Sequence, residues 1–332
     1  MTTTSVKRLK YLEKKFIGKN ILIIGDMMLD CYFRGDVKRI SPEAPVPIIE
    51  VENEFFRFGG AANVALNILK LGGNPFPVGV IGKDNDGNIF RNLISESGIP
   101  ADGIIIDPDR PTTTKTRIIA QGQHMVRIDK ESKQNINSNI EAKILKFINS
   151  KIKSADGIIL EDYNKGVLTP ALIKGIISLA NQNNLMVTVD PKFNNFYEYK
   201  NVTVFKPNRK EAEDVLGIKI KSDEDIRFAG KEIQKKLGVQ YVLLTLGEGG
   251  IAVFEKEKSE RRMPTYARVV ADVSGAGDTV ISTLTIALTA GADIHEACYL
   301  ANFAGGLVCE EIGIVPIERE KLFGAVINEA NL

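Results

Sequence analysis

The segment Ile21-Leu22-Ile23-Ile24 has no polar position to give it a wet side. A strand of that kind is buried on both faces, which is the habit of parallel sheets. Similar short apolar runs return at 77–82, 103–106, 157–160, 186–189, 202–205 and 241–245. Between them the period lengthens to that of helices. One opens after Gly59-Gly60 and ends at Gly72-Gly73. Others are expected near 86–97, 138–153, 170–183, 208–216, 223–237, 276–290, 293–312 and 318–328. At the N-terminus, Leu9, Leu12, Phe16 and Ile17 form the dry stripe of an amphipathic helix whose wet side carries Lys7, Arg8, Lys10, Lys14 and Lys15. The run Ile251-Ala252-Val253-Phe254 reads as a hairpin partner to the strand before it.

Two stretches break the alternation. Residues 31–58 contain Ser41-Pro42-Glu43-Ala44-Pro45-Val46-Pro47, which cannot be helical, because each proline fixes φ and removes a donor. Pro47–Glu52 reads as a short exposed strand. Lys115–Ile128 reads as strand too, and both stretches are expected as edge strands projecting from the main body. The rest, strand and helix in turn, implies an α/β protein with a mostly parallel central sheet flanked by helices on both sides. Ligands of such sheets bind beyond the carboxyl ends of the strands. Asp26, Asp162, Asp190, Asn208 and Gly247 each follow an apolar strand within a few residues, so one shared site is expected there.

Composition narrows the function classes. The 332 residues are 44% hydrophobic with a formal net charge of +1, so a large core is expected and a basic nucleic-acid footprint is not. The three cysteines, Cys31, Cys298 and Cys309, form no CxxC pair, which argues against a disulfide framework or a zinc site. No signal-like or membrane-spanning apolar run is present. A cytoplasmic protein with no membrane partner is expected.

The chemistry concentrates in Asp272-Val273-Ser274-Gly275-Ala276-Gly277-Asp278-Thr279. Its glycines allow the backbone to approach an anion, and the helix that follows offers free N–H groups and a positive dipole end. Asp278 there can take a proton from a hydroxyl that attacks a phosphoryl group. The same spacing also fits a plain glycine-rich helix cap. No GxxxxGK[ST] loop occurs, and Gly275-Ala276-Gly277 does not continue to GxGxxG because position 280 is Val.

The Asp-x-x-Gly-Ala-Gly-Asp pattern resembles the signature of the ribokinase-like, phosphofructokinase-B type sugar kinases. Gly59-Gly60-Ala61-Ala62-Asn63, Asn208-x-x-Glu211 and Thr245-Leu246-Gly247-Glu248-Gly249-Gly250 match three further motifs of that family, in its order. Within it, Gly25–Asp30, Arg39–Pro47, Asp162-Tyr163-Asn164-Lys165-Gly166 and Asp190-Pro191-Lys192 look like the D-glycero-β-D-manno-heptose 7-phosphate kinases. Asn164 stands where that branch is expected to have Gly, and Glu161 where it is expected to have Ser.

The resemblance implies a single ribokinase-like domain over 1–332, with a small β-sheet lid built from about 31–58 and 110–130. It implies Asp278 as general base and the N–H groups of Gly275, Ala276 and Gly277 as an anion hole. Asp30, Gly59, Gly60, Asn63 and Asp162 would hold the sugar. Lys165, Arg117, Arg127 and also Lys192 are the cations expected for a substrate phosphate. Thr245, Gly247, Gly250, Asn208 and Asn302 would meet ATP. Asn208 and Glu211 would organise Mg²⁺ through water, although their spacing also fits a helix cap with an acid at its third position. A monovalent cation is a further possible cofactor. The partners implied are a sugar phosphate, ATP and a second copy of the chain, joined through the lid.

Overall fold

A computed structural model of the chain describes residues 4–256, 258–266, 270–311 and 313–331. In chain order the elements are α1 (Val6–Phe16), β1 (Asn20–Gly25), β2 (Met27–Ile40), β3 (Pro47–Gly60), α2 (Ala61–Lys70), β4 (Asn74–Gly82), α3 (Asn85–Ser97), β5 (Ile104–Asp107), β6 (Thr113–Ala120), β7 (Gln123–Lys130) and α4 (Ser138–Lys151). The second half adds β8 (Gly157–Glu161), α5 (Pro170–Gln182), β9 (Met186–Asp190), β10 (Val204–Phe205), α6 (Arg209–Leu216), α7 (Asp223–Leu237), β11 (Tyr241–Thr245), β12 (Ile251–Glu255), β13 (Arg261–Met263), α8 (Ala276–Thr289), α9 (Ile294–Cys309) and α10 (Arg319–Ala330).

The described residues form a nine-stranded sheet, ordered β13-β12-β11-β10-β9-β8-β1-β4-β5, and a separate four-stranded sheet, β3-β2-β6-β7. From β11 to β5 the large sheet is parallel; β12 and β13 add antiparallel pairs at one edge. Strand alternation sends Ile21 and Ile23 into one apolar layer, with α1, α2, α8, α9 and α10. Leu22 and Ile24 enter the other, with α4, α5 and α7. Both faces of β1 are therefore dry, as its uninterrupted apolar sequence requires. Among the described residues, no helix is long and apolar enough to cross a membrane.

The structure departs from the sequence reading mainly in the small sheet. The stretch expected as short edge strands is a long hairpin of β2 and β3, paired from Met27↔Gly60 to Ile40↔Pro47. Lys115–Ile128 is two strands rather than one. β6 and β7 turn back at Gln121 and Gly122, both at positive φ (51° and 75°), as a tight two-residue hairpin turn demands. The run at 202–205 pairs as strand only at Val204 and Phe205, and β13 was not foreseen. The helix expected to reach 312 ends at Cys309, and residue 312 lies outside the described residues.

Candidate active site

The parallel strands end in acids that register brings side by side: Gly25 pairs with Glu161, and Glu161 with Asp190. Asp26, just past β1, organises the next loop. Its carboxylate accepts from the backbone N–H groups of Tyr163 (2.7 Å), Lys165 (3.1 Å) and Val167 (3.3 Å). Burial, helped by Asp162, pushes the Asp26 carboxyl up to about 6 against those three donors. The loop so held presents Tyr163 inward, where its hydroxyl donates to Asp278 Oδ1 at 2.8 Å.

Asp278 lies in the first turn of α8, which begins after Gly275 at φ 80°, a left-handed conformation that side chains resist. The Asn63 amide, from the start of α2, donates to Asp278 Oδ2 at 2.7 Å. Each oxygen of the acid thus has one donor. Asp278 is only 2% exposed. Burial pushes its carboxyl up to about 6, opposed by the Asn63 and Tyr163 hydrogen bonds and aided by the charge on Asp190. An acid poised there is ionised at neutral pH yet a stronger base than an exposed aspartate.

Asp278 borders a cavity of about 810 Å³, large enough for a nucleotide-sized ligand. Lys192, Asn208, Thr245, Gly247, Gly250, Gly275, Ala276, Gly277 and Asn302 line it as well. The structure therefore brings together every residue expected to meet ATP or form the anion hole. Asn302 also donates to the Pro264 carbonyl at 2.6 Å. Asn208 and Glu211 make the reciprocal cap of α6. The Asn208 side chain accepts from the Glu211 N–H at 2.8 Å, and Glu211 accepts from the Asn208 N–H at 2.8 Å. The other Glu211 oxygen meets Lys192.

The Tyr163 ring whose hydroxyl meets Asp278 also lies 5.1 Å from the Lys115 ammonium on the small sheet. Asp30 on β2 is paired in register with Lys115 on β6 and Arg57 on β3, so their side chains share a face. Asp30 is buried and bound to Arg117. A Cβ on Gly59 would lie 2.2 Å from Asp30 Oδ2, so glycine there makes room for the acid. Lys165 pairs with Glu131 at 2.6 Å.

Two of the expected substrate contacts are engaged by neighbouring side chains. Arg127, on the outer strand β7, has a side chain 57% exposed and is bound to Asp129 at 2.9 Å. Asp162 accepts from Tyr199 (2.6 Å), Asn195 (3.2 Å) and the Asn164 N–H (2.8 Å), so it braces its own loop.

A second acidic group was not foreseen. Carboxylate oxygens of Glu161, Asp190 and Asp278 lie within 4.8 Å of one another. Lys206, 3% exposed, reaches Asp190 at 2.7 Å. Among the described residues, neither Glu161 oxygen has a hydrogen-bond partner. Burial, then Asp190 and Asp278, raise the Glu161 carboxyl well above the usual range. Tyr163 was visible inside a recognised motif, and Lys206 stands two residues before Asn208. A lysine ending an apolar strand is a signal in itself, since lysine is rarely buried without an acid beside it.

The sequence pattern of the pfkB family carbohydrate kinases matches residues 19–319. A curated relative from Helicobacter pylori (strain 26695), bifunctional protein HldE, is 41% identical over 313 residues, which are 94% of this chain and 68% of that protein. The protein of the same name from Geobacter sulfurreducens is 40% identical over 307 residues, 92% of this chain and 63% of that one. The chain thus spans about two thirds of the length of these relatives. Among solved structures, Escherichia coli phosphofructokinase-2 in complex with potassium superposes with a TM-score of 0.76 at 18% identity, over 95% of this chain and 100% of that one. Arabidopsis thaliana ribokinase complexed with ribose and ATP gives 0.72 at 19% identity, over 93% and 99%. At such identities the structural likeness speaks for the fold.

Proposed function

The chain belongs to the pfkB family of carbohydrate kinases, ATP-dependent sugar kinases, and from that premise we propose that it phosphorylates D-glycero-β-D-manno-heptose 7-phosphate at the anomeric hydroxyl. The product is the 1,7-bisphosphate, an intermediate toward ADP-heptose for lipopolysaccharide. The observation that carries the reading is the position of Asp278 on the cavity wall, with both oxygens oriented by donors. The heptose motifs in the sequence and the extended match to the HldE proteins support the choice of sugar.

In this reading ATP fills the cavity, its adenine side toward Asn302 and its phosphates toward Gly275, Ala276 and Gly277. Asp30, Gly59, Gly60 and Asn63 border the acceptor sugar. The anomeric hydroxyl gives its proton to Asp278 while its oxygen bonds to the γ-phosphorus. The bond from that phosphorus to the bridging oxygen breaks, and ADP leaves. In-line positioning and charge neutralisation supply most of the acceleration. Hard oxygen donors suit Mg²⁺. Since the Glu211 oxygens already meet Lys192 and the Asn208 N–H, Asn208 and Glu211 would hold the ion through its water shell. When bound, Mg²⁺ neutralises charge on the transferring phosphates.

Initial rates with heptose 7-phosphate, fructose 6-phosphate and ribose, compared side by side, test the substrate. The expected order places the heptose phosphate first by kcat/KM. Equal or better use of fructose 6-phosphate removes the heptose assignment while leaving the kinase.

The small sheet acts, in the same proposal, as a lid over the sugar and as the contact with a second copy. Ile40 and Val51 on the β2–β3 hairpin and Val126 and Ile128 on β7 are exposed apolar residues, and an unpaired strand edge invites a partner. Light scattering at micromolar concentration should give the mass of a dimer; a monomer's mass rejects the pairing.

A further inference from the structure

We propose that Lys115 holds the phosphate carried by the acceptor sugar, an assignment that rests on the sugar-phosphate reading above. The other cations considered for that task are already engaged: Arg117 by Asp30, Lys165 by Glu131, Arg127 by Asp129 and Lys192 by Glu211. Lys115 differs. Register places it between Asp30 on β2 and Asp129 on β7, on the face it shares with Arg117. Yet among the described residues it makes neither an ion pair nor a side-chain hydrogen bond. Its ammonium stands 5.1 Å from the centre of the Tyr163 ring.

That position is costly without an anion. Burial draws the Lys115 ammonium below its ordinary range, and Asp30 offsets this only in part. A phosphate dianion arriving there restores the missing partner, and a compact ammonium is a well-suited point charge for it.

The location also fits the reaction. The Tyr163 hydroxyl donates to Asp278 at 2.8 Å, and the Lys115 ammonium sits over the same ring. A sugar anchored by its phosphate at Lys115 therefore lies alongside the phenol with its far hydroxyl directed to the base. Arg57, across Asp30 on β3, also lacks an acidic partner among the described residues, but it is exposed and sits over Phe55, so it belongs to the rim.

The test compares wild type, Lys115→Gln and Lys115→Arg on heptose 7-phosphate and on the same heptose lacking its phosphate. Loss of a charge-assisted hydrogen bond should raise KM for the phosphorylated sugar about 10- to 100-fold in Lys115→Gln. KM for ATP should stay as in wild type, the melting temperature should not fall, and Lys115→Arg should recover most of the loss. On the sugar without phosphate, Lys115→Gln and wild type should behave alike. An unchanged KM for heptose 7-phosphate, or an equal penalty on both sugars, overturns the assignment. If wild type fails on heptose 7-phosphate but uses another sugar phosphate, only the substrate reading falls, and the comparison is made with that compound. If wild type uses only unphosphorylated sugars, both fall.

Discussion

Asp278→Asn should lower kcat by roughly 10²–10⁴-fold, the range for losing a positioned general base, while ATP still binds in calorimetric titration. The substitution keeps the size of the side chain and its place in the first turn of α8, but removes its capacity to take a proton. The cavity lined by Asn208, Thr245 and Gly247 does not depend on the charge of residue 278, so nucleotide affinity and catalysis should separate. The pH profile supplies a second reading of the same residue. Because the Asp278 carboxyl is pushed up to about 6, and the base must be ionised to act, kcat/KM of the wild type should fall as pH drops through about 6. Tyr163 donates to the ionised form, so Tyr163→Phe should move that fall to higher pH. A wild-type rate in Asp278→Asn would end the base assignment. An acid limb that stays in place in Tyr163→Phe would show that the hydroxyl does not tune it.

The central sheet was legible because its strands are short apolar runs buried on both faces, a pattern that polar loops interrupt cleanly. The small sheet was not. Beyond Arg34, β2 carries Asp36, Lys38 and Arg39, and β7 is exposed along its length, so no burial rhythm marks their extent. Gln121-Gly122 closes the β6–β7 turn without the Asn-Gly or Asp-Gly pair that usually announces one. In the site, the glycines, Asp278 and the nucleotide-side residues were readable as local motifs. The pairing of their side chains was not, because it joins distant segments: Asn63 to Asp278, Tyr163 to Asp278, Lys206 to Asp190. The Arg127 contact with Asp129 was not readable for the same reason, as sequence alone does not say that a residue two along the strand engages it. Asn208 and Glu211 show how a functional reading and a structural one coexist, since the pair visibly caps α6 whatever it does for a metal.

Lys206→Met should lower folding stability by about 3–5 kcal/mol near pH 8, the cost of stripping one partner from a buried ion pair. Methionine keeps the length and apolar stem of the side chain, so packing changes little and the loss is chiefly electrostatic. Burial alone would draw the Lys206 ammonium down, but Asp190, with Glu211 and Glu161, holds it above its ordinary range. Removing it takes away the cation that stands 2.7 Å from Asp190, beside Asp278 and Glu161. A buried carboxylate in that position escapes by taking a proton, which sets the sign of the pH dependence. Without Lys206 the acids bind protons more readily in the folded state, so the penalty should be largest above pH 7 and shrink toward pH 5. Adding Asp190→Asn to Lys206→Met removes the orphaned charge and should recover much of the loss. Urea denaturation of the two variants at pH 8 and pH 5 measures all of this. A loss that is the same at both pH values and is not relieved by Asp190→Asn would mean that Lys206 serves the site by its shape, and that its charge is not what allows three acids to sit together beside the base.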